Sequence, residues 1–337
     1  MITAPPARPV FVLGCPRSGT TLLQLMLHAH PRIALPPENR FVLPAYERRL
    51  GFGDLARREN RAALAAWLTR RPETRFHELG VDPDAVAARV TDGPPTLGSA
   101  LAVPLRAYAE RHGKVRWGDK RPAYALHVTE ILRLFPDAQF VHLVRDGRDC
   151  VASLLGVDWW HAGFHEAVAT WAQVMDTTRR HARRLPPDSW HELRYEDLLA
   201  DPEPVLRALC AYLGEEYDPA MTAPHLLADV AVPARKTWHR NTHGAPDAAR
   251  SGTWRHRLTP DQVRLCEAAF GDRLARAGYE PSGAVRPDPA DLLRYRKVSA
   301  LRRAAHARRR LRDAGTRLRE HGPVAAREDA RTESTAP

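Results

Sequence analysis

The chain has 337 residues, 44% of them hydrophobic, enough to bury a substantial core in one large domain or in a domain with appendages. Lysine and arginine outnumber aspartate and glutamate by 51 to 40, giving a formal net charge of +11, but much of the arginine excess lies toward the C-terminal end, so the charge invites polyanions without naming one. Cys15, Cys150, Cys210 and Cys266 are scattered without a C-x-x-C pair, which argues for reduced thiols over a zinc site or disulfide framework, and no zinc-finger, RNP or helix-turn-helix pattern supports nucleic-acid binding.

An apolar run begins by Pro9, leaving no room for a signal peptide, and no stretch approaches a membrane span, so a cytoplasmic protein is expected. Val10 to Leu13 predicts a strand. It meets the tight loop Gly14-Cys15-Pro16-Arg17-Ser18-Gly19-Thr20-Thr21, which opens onto a Leu-rich helical pattern. A glycine loop at a helix N-terminus turns backbone N–H groups toward one point, where the helix dipole also favours negative charge. Arg17, Ser18, Gly19, Thr20 and Thr21 are therefore candidates to cradle a phosphate-like anion. The spacing is close to the nucleotide-binding G-x-x-x-x-G-K-[ST] loop, yet Thr20 stands where its lysine would be. That lysine normally reaches the β- and γ-phosphates, so its absence argues against a triphosphate and leaves Arg17 as the loop's own cation.

PRSGTT after an N-terminal strand resembles the 5′-phosphosulfate loop of the sulfotransferases, enzymes whose sulfuryl donor is 3′-phosphoadenosine 5′-phosphosulfate (PAPS). Downstream, Ile33 to Pro37 predicts a short extended segment followed directly by Glu38-Asn39-Arg40. In an open α/β fold, residues just past a strand's carboxyl end face the ligand crevice, although a solvent-exposed loop glutamate is equally compatible with the local sequence. Glu38 and Arg40 match the Glu-x-Arg element of tyrosylprotein-type and related bacterial sulfotransferases, whose glutamate is the proposed general base.

Residues 45 to about 115 are rich in Ala, Leu and Arg at helical spacing and are broken at Arg71-Pro72, Asp82-Pro83 and Asp92-Gly93-Pro94-Pro95; they predict a helical cap over the site. Lys114 to Pro122 is expected to end in a turn, with Lys120 at a loop edge and Gly118-Asp119-Lys120 reading locally as a polar turn, before a helix from about Tyr124 to Phe135. The segment is similar to the family's W-x-[DEN]-K-x-P, which implies that Lys120 stabilises charge on the transferring group. Small-molecule sulfotransferases carry a base histidine just after that lysine; Arg121-Pro122 follow here, which leaves the base role to Glu38.

Gln139 to Val144 predicts a buried strand, with Arg145 at its carboxyl end, Asp146-Gly147 as a break and a helix carrying Ser153, eight positions beyond Arg145. An arginine at a strand end and a serine on the following helix can converge on one anion, though a structural salt bridge would also occupy the arginine. VRDGRDCVASLL resembles the family's 3′-phosphate motif, which implies that Arg145 and Ser153 hold that phosphate. His142, inside the strand, fits a satisfied core position. Residues 164 to 184 predict an amphipathic helix burying Phe164, Val168, Trp171, Val174 and Met175. Trp190 to Tyr195 predicts a further strand, and RYEDLLADP is similar to a family segment whose tyrosine contacts adenine, here Tyr195. After an irregular loop from Asp218 to Ala249, Arg250-Ser251-Gly252 could form a second anion nest or a basic loop before the helix that starts near Thr259; an Arg-x-Gly segment followed by tryptophan closes over the 3′-phosphate in many sulfotransferases.

The resemblance covers about residues 9 to 280. It implies an α/β, three-layer P-loop-type fold with a mainly parallel sheet, a sulfotransferase domain over 1–285 and a basic, helical to disordered extension over 286–337. The extension's arginine-dense helix could touch an acidic membrane surface, but a solvated or frayed helix explains it as well. The implied activity is sulfuryl transfer from PAPS to a hydroxyl acceptor, with Glu38 as base, Arg17 and Lys120 stabilising charge and no metal. A P-loop phosphotransferase, or a non-catalytic nucleotide or polyanion binder, are the alternatives.

Overall fold

The computed structural model describes residues 8–224, 251–283 and 286–327. Five strands form one parallel sheet in the order β2-β3-β1-β4-β5. They are β1 (Val10–Gly14), β2 (Ile33–Ala34), β3 (Arg116–Lys120), β4 (Gln139–Val144) and β5 (Trp190–Arg194). The fully buried apolar runs of β1 and β4 are what a strand covered by helices on both faces requires. β1 pairs with β4 on one side and β3 on the other, so its carboxyl end opens where the chain's direction across the sheet reverses, the usual place for a ligand crevice in such sheets.

β3 corrects the sequence reading, which put Lys120 at the edge of a polar turn. Arg116-Trp117-Gly118-Asp119-Lys120 is a buried strand between β1 and β2, and Lys120 is its last residue. Its charges are tolerated because they are paired. Arg116 donates to the carbonyls of Arg8 (2.9 Å) and Leu213 (2.7 Å) and to the Gln139 side chain, and forms an ion pair with Glu215. A hydrophobicity scan misses such a strand, since buried polar groups cost stability only when unpartnered.

Between β1 and β2 lies α1 (Thr20–Ala29), and between β2 and β3 lie α2 (Val42–Glu47), α3 (Arg58–Arg70), α4 (Pro83–Asp92) and α5 (Leu97–Arg111), which make up the expected cap. The proline breaks serve as starts: Pro83 is the first residue of α4, capped by the Asp82 carboxylate. The helix foreseen from Tyr124 to Phe135 is divided into a 3₁₀ turn at Pro122–Leu126 and α6 (Val128–Leu134). α7 (Gly147–Leu155) and α8 (Gly163–Ala182) follow β4, with Val168, Trp171 and Val174 buried along α8. After β5 come α9 (Tyr195–Ala200), whose first residue is Tyr195, and α10 (Pro202–Leu213). Thr259 starts the Pro260–Phe270 helix with a reciprocal capping box to Gln262. All four cysteines are buried free thiols.

The basic helix of the extension spans Pro289–Arg317 and packs on α8, where Arg302 reaches Glu166 (3.0 Å) and Gln173 (3.1 Å). Beyond it the chain folds back onto the cap. Glu320 pairs with Arg49 (2.5 Å) and Arg133 (2.7 Å), Asp313 pairs with Arg49 (2.6 Å), and the Arg49 guanidinium lies over the Tyr46 ring. Backbone bonds from Gly98 to Val324 (2.8 Å) and from Ala326 to Leu134 (2.7 Å) finish the attachment. Arg49 has only 5% of its side chain exposed, and its loss would take one partner from each of two carboxylates in a poorly hydrated site, leaving Glu320 to Arg133 and Asp313 to Arg317. Arg49→Ala should destabilise the protein by about 3 kcal/mol, read as a lower urea midpoint with an unchanged slope.

Candidate functional site

The loop between β1 and α1 is shaped by close approach. A Cβ on Gly14 would stand 2.6 Å from the Leu143 carbonyl oxygen and 2.7 Å from Ser18 Oγ, so only glycine lets β1 and β4 lie together where the loop begins. Gly19 adopts φ +98, and a Cβ there would run into the Tyr195 ring. Arg17 is also left-handed, with φ 73, which costs a non-glycine residue and is characteristic of backbones bent around a ligand. Gly19 offers α1 no side-chain cap, so the first N–H donors of the helix receive no capping acceptor from it. Ser18 Oγ is buried and has no hydrogen-bond partner among the described residues. These features fit an anion cradle.

Cations gather beside it. Arg17 Nε donates to Ser153 Oγ at 3.0 Å, and Arg145 Nη1 donates to the Arg17 carbonyl at 3.1 Å. Three expected anion contacts from β1, β4 and α7 thus adjoin, and Arg17 reaches toward the Ser153 side of the group. Burial, and after it the positive charge of Arg145, push the Arg17 guanidinium below its ordinary value, whereas Arg145, though buried, is raised by the negative groups around it, Asp149 and Glu196 among them. The Arg145 guanidinium also lies 4.5 Å over the Tyr195 ring, so this aromatic is packed between Gly19 and Arg145.

Residues 251–254 close against α7 through one carboxylate. Asp149, fully buried, accepts from the backbone N–H groups of Gly252 (2.7 Å) and Trp254 (2.8 Å) and from Thr253 Oγ1 (2.9 Å), and lies 3.8 Å from Arg145. The Gly252 N–H, foreseen as an anion donor, is directed to this carboxylate, while Ser251 is exposed and Arg250 lies outside the described residues. Two contributors escaped the sequence reading. Asp149 stood unremarked inside the VRDGRDC run. Arg257 reaches the start of the α7–α8 connection, where a Cβ on Gly156 would meet its guanidinium, and its charge also bears on Arg17. The only signal for it was the basic run after Trp254.

A second group forms where β3 ends. Lys120 Nζ, 2% exposed, lies 3.4 Å from Thr21 Oγ1 and 3.5 Å from Glu38 Oε2. The loop's last threonine therefore joins the cradle to the candidate base and the candidate charge stabiliser. Arg40, beside them in sequence, is exposed. His142 is a core residue as expected, bonded through Nδ1 to Glu192 at 2.8 Å.

The family model of the sulfotransferase family matches residues 9–219. The chain belongs to the sulfotransferase family. Protein-tyrosine sulfotransferase 1 of Danio rerio is 26% identical over 304 residues, covering 86% of this chain and 78% of that protein. Among solved structures, the sulfotransferase domain from the Synechococcus PCC 7002 olefin synthase is 26% identical with a TM-score of 0.53, over 80% of this chain and 96% of that one. The sulfotransferase domain from the curacin biosynthetic pathway has a TM-score of 0.55 at 21% identity, covering 81% and 98%, a likeness of fold. This sulfotransferase is a PAPS-dependent enzyme acting on a hydroxyl acceptor. Its orphaned Ser18 hydroxyl, crowded arginines and uncapped α1 suit a donor carrying phosphate at both ends.

Since Asp149 fastens the 251–254 segment, Asp149→Ala should raise the dissociation constant of 3′-phosphoadenosine 5′-phosphate (PAP) about tenfold, equivalent to about 1.4 kcal/mol, in calorimetry.

Proposed function

We propose that this sulfotransferase binds PAPS between two groups of residues and uses Glu38 as the general base. The phosphosulfate sits in the loop formed by Ser18, Gly19, Thr20 and Thr21, and the 3′-phosphate is held by Arg145 and Ser153, with the 251–254 segment fastened alongside by Asp149 and Arg17 spanning the two. The observation that carries this reading is the meeting of Lys120, Thr21 and Glu38 at the carboxyl end of β3, next to the anion loop.

In the reaction, the acceptor hydroxyl gives its proton to Glu38 as its oxygen attacks sulfur, and the bond from sulfur to the bridging phosphate oxygen breaks with its electron pair on that oxygen. Lys120 lies close enough to Thr21 to share charge with the leaving phosphate as it builds. Its ion pair with Glu38 keeps the base beside the transferring group until substrates arrive. The acceptor side belongs to the cap. A tyrosine side chain is one acceptor compatible with the relatives, and radiolabelled PAPS offered with phenols, sugars, tyrosine peptides and lipid alcohols would identify the class.

Glu38→Gln should lower the rate of sulfuryl transfer about 10²–10⁴-fold while PAP affinity is retained, and an unchanged rate would remove Glu38 from the base role. Arg145→Ala should act in the opposite way, raising the PAP dissociation constant at least about tenfold, measured by calorimetry.

A further inference from the structure

We infer that Asp119 is a positioning residue for the reaction: by holding Asn39, it sets Glu38 against Lys120. The inference rests on the reading of Glu38 as the base. Asp119 and Lys120 are the last two residues of β3, and consecutive strand residues point to opposite faces of a sheet. The loop after β2 meets that strand end with a matching pair. Asn39 Nδ2 donates to Asp119 Oδ1 at 2.8 Å on one side, while Glu38 Oε2 stands 3.5 Å from Lys120 Nζ on the other. Two neighbouring residues of the loop are thus clasped by two neighbouring residues of the strand. Rotation of the loop about its own axis, which would swing the Glu38 carboxylate away, is blocked by the Asn39 bond.

The carboxylate is itself fixed. Asp119 also accepts from its neighbour's backbone, Lys120 N–H, at 2.8 Å, and from the Tyr124 hydroxyl. With 1% exposure it has no water to exchange for these donors, and Asn39 is equally buried. Asn39 Oδ1 has no partner among the described residues, so the amide's role here is as a donor to Asp119. Burial pushes the Asp119 carboxyl up to about 6, opposed by the hydrogen bonds from Tyr124, Asn39 and the Lys120 N–H, which favour the charged form. A fold gains little by burying a charge where an amide or an apolar group would serve; its use lies in the strength with which it draws the Asn39 and Lys120 donors into register. Asp119's bonds run to Asn39, to the Lys120 N–H and to Tyr124, at the β3 end of the site, so donor binding should be insensitive to it.

The test is a double-mutant cycle of Asp119→Asn and Glu38→Gln. The readout is single-turnover consumption of radiolabelled PAPS with water as acceptor, together with PAP affinity and thermal midpoint. In the wild-type background, Asp119→Asn should slow turnover about 10–100-fold, with the PAP dissociation constant within about twofold. In the Glu38→Gln background the same change should cost under about threefold, since no base remains to be positioned. An equal loss in both backgrounds, or a parallel loss of PAP affinity, would overturn the positioning role while leaving Glu38 as base. A Glu38→Gln enzyme as fast as wild type would remove the base reading and this inference with it. Should Asp119→Asn fail to fold, Asn39→Ala takes its place in the same cycle, with the same criteria.

Discussion

Arg145 donates to the carbonyl of Arg17, and the bond holds two guanidinium groups of like charge beside each other at the carboxyl end of the sheet. Such an arrangement is unfavourable alone, and burial makes it more so. The surrounding structure can be understood as the means of tolerating it. Tyr195 lays its ring under Arg145, Ser153 accepts from Arg17, and Asp149 supplies a carboxylate close to Arg145 while collecting the 251–254 segment. A nucleotide with an anionic group at each end is the partner proposed for this concentration of cations. Part of the fold's stability has been placed in reserve, to be recovered when the donor binds.

The division of labour follows from the sheet. β1 and β4 deliver the anion contacts through the residues that follow their carboxyl ends, whereas β3 delivers Lys120 from its last position and Asp119 just before it. In the proposed function, donor binding and acceptor activation are built on different strands that meet at Thr21. Lys120 lies beside both Thr21 and Glu38, the geometry by which a single lysine would respond to the phosphosulfate and hold the proposed base.

Much of this was legible in the residue order because local rules and tertiary demands agree there. The β1 loop carries its glycines where a neighbouring backbone or ring approaches, and the buried stretch from Gln139 to Val144 coincides with β4 residue for residue. β3 was obscured for the opposite reason: three of its five residues are charged, and their partners, Glu215, Asn39 and Glu38 among them, come from distant parts of the chain. Asp149 was invisible on the same grounds, since its role is set by donors more than a hundred residues away. The attachment of residues 320–327 could not be read either. Its ion pairs look like ordinary surface charge until the cap folds against them.

That attachment bears on how the enzyme could change over time. Arg49 and Tyr46 belong to the start of the cap, while Asp313 and Glu320 lie near the other end of the chain, and the four make one cluster with Arg133. A helical insertion grafted from another member of the family would arrive without its counterpart and leave these charges unmatched. The two ends of the chain are therefore coupled as a pair of segments, and a change in one calls for a compensating change in the other.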